Sequence, residues 1–245
     1  MFNIVSLIKN ELLKNYAGNK NYFFNYTLGV MRDFLVLLGF IFLGGELSGE
    51  VLLLDFSINS FLLIRIFSWF VLTGTVGKLI SEMENEIQMN YLKNLIHQNV
   101  DFNLIVFSRI MAIFIELIMM FVLPTITILF VFQSVENMGS YFSSLILYIL
   151  IIFVVTTFSC YFFTNLVLKL KRISAVHGIF KNYLLFFSGF VFLDSNYGVD
   201  LFYYLNNVLE GRLSFGIFMA LLLIVAIFVT STIVLGKMVE NKIRD

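Results

Sequence analysis

The stretch YFSSLILYILIIFVVTTFSCYFFTNLVL, residues 141–168, contains no charged side chain. It is longer than the roughly 20 apolar residues that a helix needs to cross the hydrocarbon core of a bilayer. The rest of the chain has the same character, since 60% of its 245 residues are hydrophobic and only 13% are charged. The mean hydropathy of +0.93 lies far from that of an ordinary soluble domain. The sequence therefore predicts an all-α protein that crosses a membrane several times.

Apolar segments of similar length recur on both sides of this stretch, and residues 1–245 are predicted to form a single membrane domain. The first residues differ, because Val5, Ile8, Leu12 and Tyr16 fall on one face of a helix and lysines on another. Residues 1–18 are therefore predicted to form an amphipathic helix lying along the membrane surface. The six predicted membrane spans are 23–44, 58–80, 110–132, 141–168, 175–193 and 213–235.

The distribution of lysine and arginine predicts the orientation in a bacterial inner or plasma membrane. With a cytoplasmic N-terminus, the outer loops carry only Arg212, and six spans place both termini on the cytoplasmic side. Residues 81–103 then form a cytoplasmic loop and residues 194–212 an extracellular one. The inner segments and span ends carry Lys9, Lys14, Lys20, Lys78, Lys93, Arg109, Lys169, Lys171, Arg172, Lys237, Lys242 and Arg244.

The cytoplasmic loop 81–103 is unusually polar and shows helical periodicity. Met83, Ile87, Tyr91 and Leu95 recur every four residues, with acidic and amide side chains between them. This pattern predicts an amphipathic helix after the second span, and Asp101 is a candidate N-cap for the next helix. The helix either docks a cytoplasmic partner or is a solvated connector. We favour docking, because connectors of this length are usually functional or disordered, and this one is too periodic to be disordered.

Motifs that would indicate catalysis are missing from the sequence. The segment GTVGK, residues 74–78, has two residues between its glycines where a phosphate-binding loop needs four. His97 and His177 lie far apart, without cysteines or acids at the spacing of metal ligands. The formal net charge of zero disfavours nucleic acid as a partner. We expect a protein that is not an enzyme and that binds no metal or nucleotide itself.

The chain resembles the membrane subunits of type-2 ABC exporters over nearly its whole length. Shared features are the N-terminal "elbow" helix, the cytoplasmic helix between spans two and three, and the short basic loop KLKR at 169–172. The cytoplasmic helix reads EMENEIQMNY at 82–91, which keeps the first two acids of the family's E-x-E-x-G-T-x-E-x-L pattern and has Glu-Ile in place of Gly-Thr. The Ser-Gly pair and the stretch after it, within 186–208, fit the family's extracellular segment that dips back into the membrane.

The resemblance implies an exporter whose cytoplasmic helix is a coupling helix for a separate ATP-hydrolysing subunit. A second permease chain, identical or different, would complete the pathway for a hydrophobic or amphipathic cargo such as an antimicrobial peptide or drug, and membrane lipid would surround both. The competing interpretation is a non-transport scaffold or sensor that recruits a cytoplasmic protein through residues 82–96. The residues expected to dock the ATPase are Glu82, Glu84, Glu86, Ile87, Tyr91, Leu92 and Leu95.

Several charges fall inside the predicted spans, where each costs a few kcal/mol unless it is paired or hydrated. Arg32, Asp33 and Lys181 are expected to lie near the interface and to extend toward it. Arg65 in span two and Glu116 in span three are candidates for a structural ion pair, because these spans are adjacent and antiparallel. Depth counts against this pair, since Arg65 falls nearer the outer face and Glu116 nearer the inner one.

Overall fold

A computed structural model describes residues 4–21, 60–89, 101–132 and 138–187, with scattered positions between 24 and 39 and between 226 and 237. Side chains are described at 4–21, 68–89, 101–120 and 149–184 and at the scattered positions. These segments are helical and contain no strand, which confirms the all-α prediction for the described part of the chain. The helices are α1 (Ile4–Asn21), α2 (Ser60–Gln88), α3 (Phe102–Phe132), α4 (Met138–Leu170) and α5 (Ser174–Phe187).

Helix α2 is the central element of the described part. It packs against α3, α4 and α5, and fully buried Leu72, Leu79 and Met83 belong to the core along its length. The sequence predicts a span ending at residue 80 and a further helix after it, whereas α2 runs without a break to Gln88. No glycine or proline interrupts residues 79–88, so the charged segment extends the apolar helix. The second half of the predicted helix, residues 90–96, lies outside the described residues.

Helix α3 begins earlier than the predicted third span. Asp101 accepts a hydrogen bond from the Asn103 amide at its Oδ1, 3.0 Å away, and its carbonyl accepts bonds from Leu104 and Ile105. This confirms Asp101 as the N-cap, and the helix therefore starts at Phe102 instead of residue 110.

Two segments of the described residues, Phe102–Met120 in α3 and Ile149–Leu170 in α4, are long and apolar enough to cross a membrane. The number of spans, the orientation of the termini and the extracellular segment at 194–212 stay predictions.

Helix α1 presents two different faces. Ile4, Ile8 and Leu12 are half-buried on the helix, which packs against α3. Val5 and Tyr16 are 65% and 66% exposed. The apolar face predicted from the sequence is therefore divided between the protein and the outside, because the helix is rotated to bring Glu11 toward α3.

The turn between α4 and α5 is tightly defined. Lys171 adopts a positive φ of 65°, and its amide donates to the Val167 carbonyl at 2.8 Å, which closes α4 with a left-handed C-terminal residue. Helix α5 then begins at Ser174, one residue before the predicted fifth span. Its first described bond runs from the His177 amide to the Ile173 carbonyl, 3.0 Å.

Two contacts fix α5 on α2. The His177 ring lies against Gly77, and its Nε2 is 3.2 Å from the Thr73 carbonyl. Further along, the indole Nε1–H of Trp69 donates to the Lys181 carbonyl at 3.3 Å, and the Lys181 ammonium lies 5.2 Å from the centre of the indole ring. Lys181, expected to extend toward the interface, thus makes a cation–π contact at the surface of this helix pair.

Candidate functional site: a polar seam between three helices

Eight polar side chains from α1, α2 and α3 meet along one line, which we call the polar seam. On α2 its members are spaced four residues apart, so they share one face of the helix. On α3 they are seven residues apart, again on one face. The seam consists of Glu11, Lys14 and Asn19 on α1, Lys78, Glu82 and Glu86 on α2, and Arg109 and Glu116 on α3.

Arg109 forms the buried end of the seam. Its Nη1 lies 2.6 Å from Glu86 Oε2 and 3.6 Å from Met83 Sδ, while its Nε lies 3.2 Å from Glu11 Oε1. The Arg109 side chain is only 3% exposed, so its charge has lost most of its hydration. A guanidinium with two carboxylate partners can remain ionised in such a place. Arg109 thereby ties α3 to both α1 and α2.

Lys14 forms the exposed side of the seam. Its ammonium lies 3.3 Å from Glu11 and 3.6 Å from Glu82, and half of its side chain faces outward. Exposed ion pairs of this length contribute little free energy. Lys14 nevertheless partly neutralises the charge of Glu11, and Arg109 contacts the same carboxylate.

Glu116 forms the opposite end of the seam. Its Oε2 lies 2.7 Å from the Lys78 ammonium, and its Oε1 accepts a hydrogen bond of 2.9 Å from the Asn19 amide group. Both carboxylate oxygens of Glu116 therefore have donors other than Arg65, the partner considered from the sequence. The side chain of Arg65 lies outside the described side chains, so an Arg65 contact stays a prediction.

The spacing along the two antiparallel helices explains why Lys78 is the partner of Glu116. Moving eight residues back along α2 from Glu86 reaches Lys78, and moving seven residues forward along α3 from Arg109 reaches Glu116. Both steps cover about 11–12 Å at 1.5 Å per residue. This register could not be predicted from the sequence, because it follows only once the Arg109–Glu86 pair is known.

Glu84 points away from the seam. It lies two residues from both Glu82 and Glu86, and such positions do not share a helix face. Its Oε1 accepts hydrogen bonds from the Ile173 amide at 2.6 Å and the Ser174 amide at 3.1 Å. A carboxylate at this place satisfies amides at the start of α5 and interacts favourably with the helix dipole. Glu84 is thus an N-cap for α5 supplied by another helix, which sequence reasoning had missed.

Four of the seven residues predicted to dock an ATPase lie in the described part of α2. Glu82, Glu84 and Glu86 each contact a different helix of the same chain, and half-buried Ile87 packs against the core. Tyr91, Leu92 and Leu95 lie outside the described residues. The side chains that this end of α2 leaves exposed are Ser81, Asn85, Gln88 and Met89.

The chemistry available to the polar seam is ionic. Within the described segments, no group of three or more His, Cys, Asp or Glu side chains has the arrangement of a metal site. The seam instead holds three helices together through charges of opposite sign at contact distance. Such an arrangement can keep helices in register and can break and reform as a unit when they shift.

Comparison of the chain with protein-family models, curated proteins and solved structures gave no match.

Proposed function

We propose that this chain is the membrane permease subunit of an ATP-driven exporter of the ABC type. A separate cytoplasmic subunit would hydrolyse ATP, and a second permease chain would complete the pathway. The cargo would be hydrophobic or amphipathic, in keeping with the low charge and the phenylalanine-rich composition of the chain. The resemblance to type-2 exporters indicates transport as the function, and the arrangement of charged residues around the end of α2 supports this proposal.

One observation carries the proposal: α2 continues from a mostly apolar segment into a charged end that contacts three other helices. Glu86 reaches α3 through Arg109, Glu82 reaches α1 through Lys14, and Glu84 reaches the start of α5. A displacement of the α2 end cannot be absorbed locally, because it would break these contacts or carry the other helices along. A partner that pushes near Gln88 would therefore move several helices together.

The inward orientation of the acids refines how the ATPase would bind. Since Glu82, Glu84 and Glu86 are engaged within the chain, their role would be to transmit movement and not to touch the partner. Docking would fall to the exposed face of α2, represented by Gln88 and Met89, and to the segment that follows.

The experiment is co-purification of the tagged chain from its own membranes, followed by measurement of ATP hydrolysis in the eluate. The test variant is Gln88→Lys with Met89→Lys, since lysines near a helix C-terminus are compatible with the helix dipole. The matched control, Asn10→Lys with Ala17→Lys, places the same two charges on the exposed face of α1.

We expect the control to retain the ATPase and the test variant to lose it, with equal thermal unfolding midpoints. Retention of the ATPase by both variants would move the docking site away from the end of α2. If the wild-type chain carries no ATP-hydrolysing partner, the transport proposal is wrong, and the scaffold or sensor interpretation takes its place.

A further inference from the structure

In the described part of the chain, most carboxylates are half-buried, whereas most cations are exposed. The five glutamates with described side chains are all half-buried, and each has an ion-pair or hydrogen-bond partner within the chain. Asp101 is the exposed carboxylate of this part, and it caps α3. The described surface is therefore positive although the formal net charge is zero. The exposed cations include Lys9, Lys14, Lys20, Lys169, Lys171, Arg172 and Lys181.

These exposed cations are most concentrated at the turn between α4 and α5. Lys169, Lys171 and Arg172, which we call the basic corner, lie within four consecutive residues and are all exposed. Among the described side chains, no carboxylate lies within ion-pair distance of any of the three. Three neighbouring cations with no carboxylate beside them in the described part of the chain favour an anionic ligand.

The backbone of the basic corner is held in place from the inside. The Ile173 side chain is buried, and Glu84 binds the amides of Ile173 and Ser174. The Lys171 amide is bonded to α4. Because the turn is already ordered, binding a ligand there costs little backbone entropy.

Exposed apolar side chains lie within and after the basic corner in the sequence. Leu170 is 55% exposed at the end of α4, and Ile179 is 71% exposed on α5, with Val176 one turn before it. Cations beside exposed aliphatic groups are typical of surfaces that lie at the boundary between lipid headgroups and acyl chains.

The position along α4 supports the same conclusion. The candidate span in α4 extends to Leu170, the last residue of that helix. Lys169 is its next-to-last residue, and Lys171 and Arg172 follow it directly. In a bilayer crossed by α4, the basic corner would lie at the level of the phosphates.

We propose that the basic corner binds the headgroup phosphates of anionic phospholipids, with Leu170 and Ile179 inserted at the acyl boundary. Arg172 can donate two hydrogen bonds to one phosphate, whereas Lys169 and Lys171 act as point charges. This proposal concerns the lipid around the chain and does not depend on transport.

The test adds phosphatidylglycerol or phosphatidylcholine to the purified chain in neutral detergent. Binding is measured as the change in the thermal unfolding midpoint. The test variant is Lys169→Gln, Lys171→Gln and Arg172→Gln; glutamine is no more strained than lysine at the positive φ of residue 171. The matched control, Lys169→Arg, Lys171→Arg and Arg172→Lys, keeps all three charges.

We expect phosphatidylglycerol, but not phosphatidylcholine, to raise the unfolding midpoint of the wild type and of the control. Each cation near an anionic surface contributes roughly fivefold in affinity, so the glutamine variant should bind phosphatidylglycerol on the order of a hundredfold more weakly. Equal midpoints of all three proteins without lipid would show that the substitutions leave the fold intact.

Three outcomes would overturn the proposal. The first is an equal response of the wild type to both lipids, and the second is an unchanged response of the glutamine variant to phosphatidylglycerol. The third is a shift produced by inorganic phosphate alone, which would assign the corner to a soluble anion. If the glutamine variant binds phosphatidylglycerol as before but loses a co-purified protein, the second outcome applies. The basic corner would then bind an acidic protein surface.

Discussion

The guanidinium Nη1 of Arg109 lies 2.6 Å from the carboxylate Oε2 of Glu86, and this contact joins α3 to the charged end of α2. Breaking a buried ion pair costs about 3 kcal/mol or more when the remaining charge is uncompensated, and without Glu86 the buried Arg109 would keep only Glu11, which it shares with Lys14. We therefore expect Glu86→Met to lower the thermal unfolding midpoint strongly. Replacing both partners, as Arg109→Met with Glu86→Met, should cost less than either single change, because Glu11 keeps its ion pair with Lys14 and no unpaired charge then remains at this position. An additive loss in the double variant would contradict a coupled pair.

The pairing at the other end of the seam can be tested by exchanging charges. Lys78 and Glu116 are 2.7 Å apart, and Lys78 is partly exposed, so each single reversal should cost about 1 kcal/mol or somewhat more. The double exchange, Lys78→Glu with Glu116→Lys, should recover most of the loss in unfolding midpoint.

The matched comparison is Arg65→Glu with Glu116→Arg, which exchanges the charges of the pair first considered from the sequence. We expect no recovery in this variant, since both oxygens of Glu116 have other donors. Recovery here, and none in the Lys78 exchange, would restore the Arg65 hypothesis.

The cap that Glu84 supplies to α5 predicts a local effect. Glu84→Ala should cost about 1 kcal/mol, the usual loss when an N-cap acceptor is removed. Hydrogen exchange at the amides of Ile173 and Ser174 should become faster, whereas exchange in α3 should not change. Glu84→Gln keeps a carbonyl acceptor and should lie between the wild type and the alanine variant. Unchanged exchange in Glu84→Ala would mean that the amides are protected by another group.

The close approach of α2 and α5 predicts a steric effect at one glycine. A Cβ added at Gly77 would lie 2.7 Å from His177 Cε1, which is shorter than any normal contact. We expect Gly77→Ala to cost about 1 to 3 kcal/mol, as overpacking of a core does. The control is Gly178→Ala, where a Cβ would meet nothing within 4 Å and the helix should be neutral or slightly more stable. Adding His177→Ala to Gly77→Ala should relieve part of the loss; a purely additive double variant would rule out this contact.

Local signals in the sequence predicted much of the fold. The apolar runs predicted the helices. Asp101 could be identified as a cap because an N-cap side chain bonds only to amides two or three residues further on. The register of the polar seam could not be obtained in this way, because Glu11 and Arg109 are 98 residues apart in the chain. The orientation of Glu84 was missed for the same reason: its role depends on where α5 begins in space. Periodicity also predicts that α1 is amphipathic, but it does not show which neighbouring helix the apolar residues of α1 contact.

Trp69 is the single tryptophan of the chain, and it lies where α5 meets α2, with its indole beside Lys181. The tryptophan fluorescence of the protein therefore originates at one contact between these two helices. Any event that separates them would hydrate the buried indole and shift its emission to longer wavelength. The native sequence thus contains an optical reporter of the α2–α5 distance, which can be followed in real time without a label as lipid or nucleotide is added.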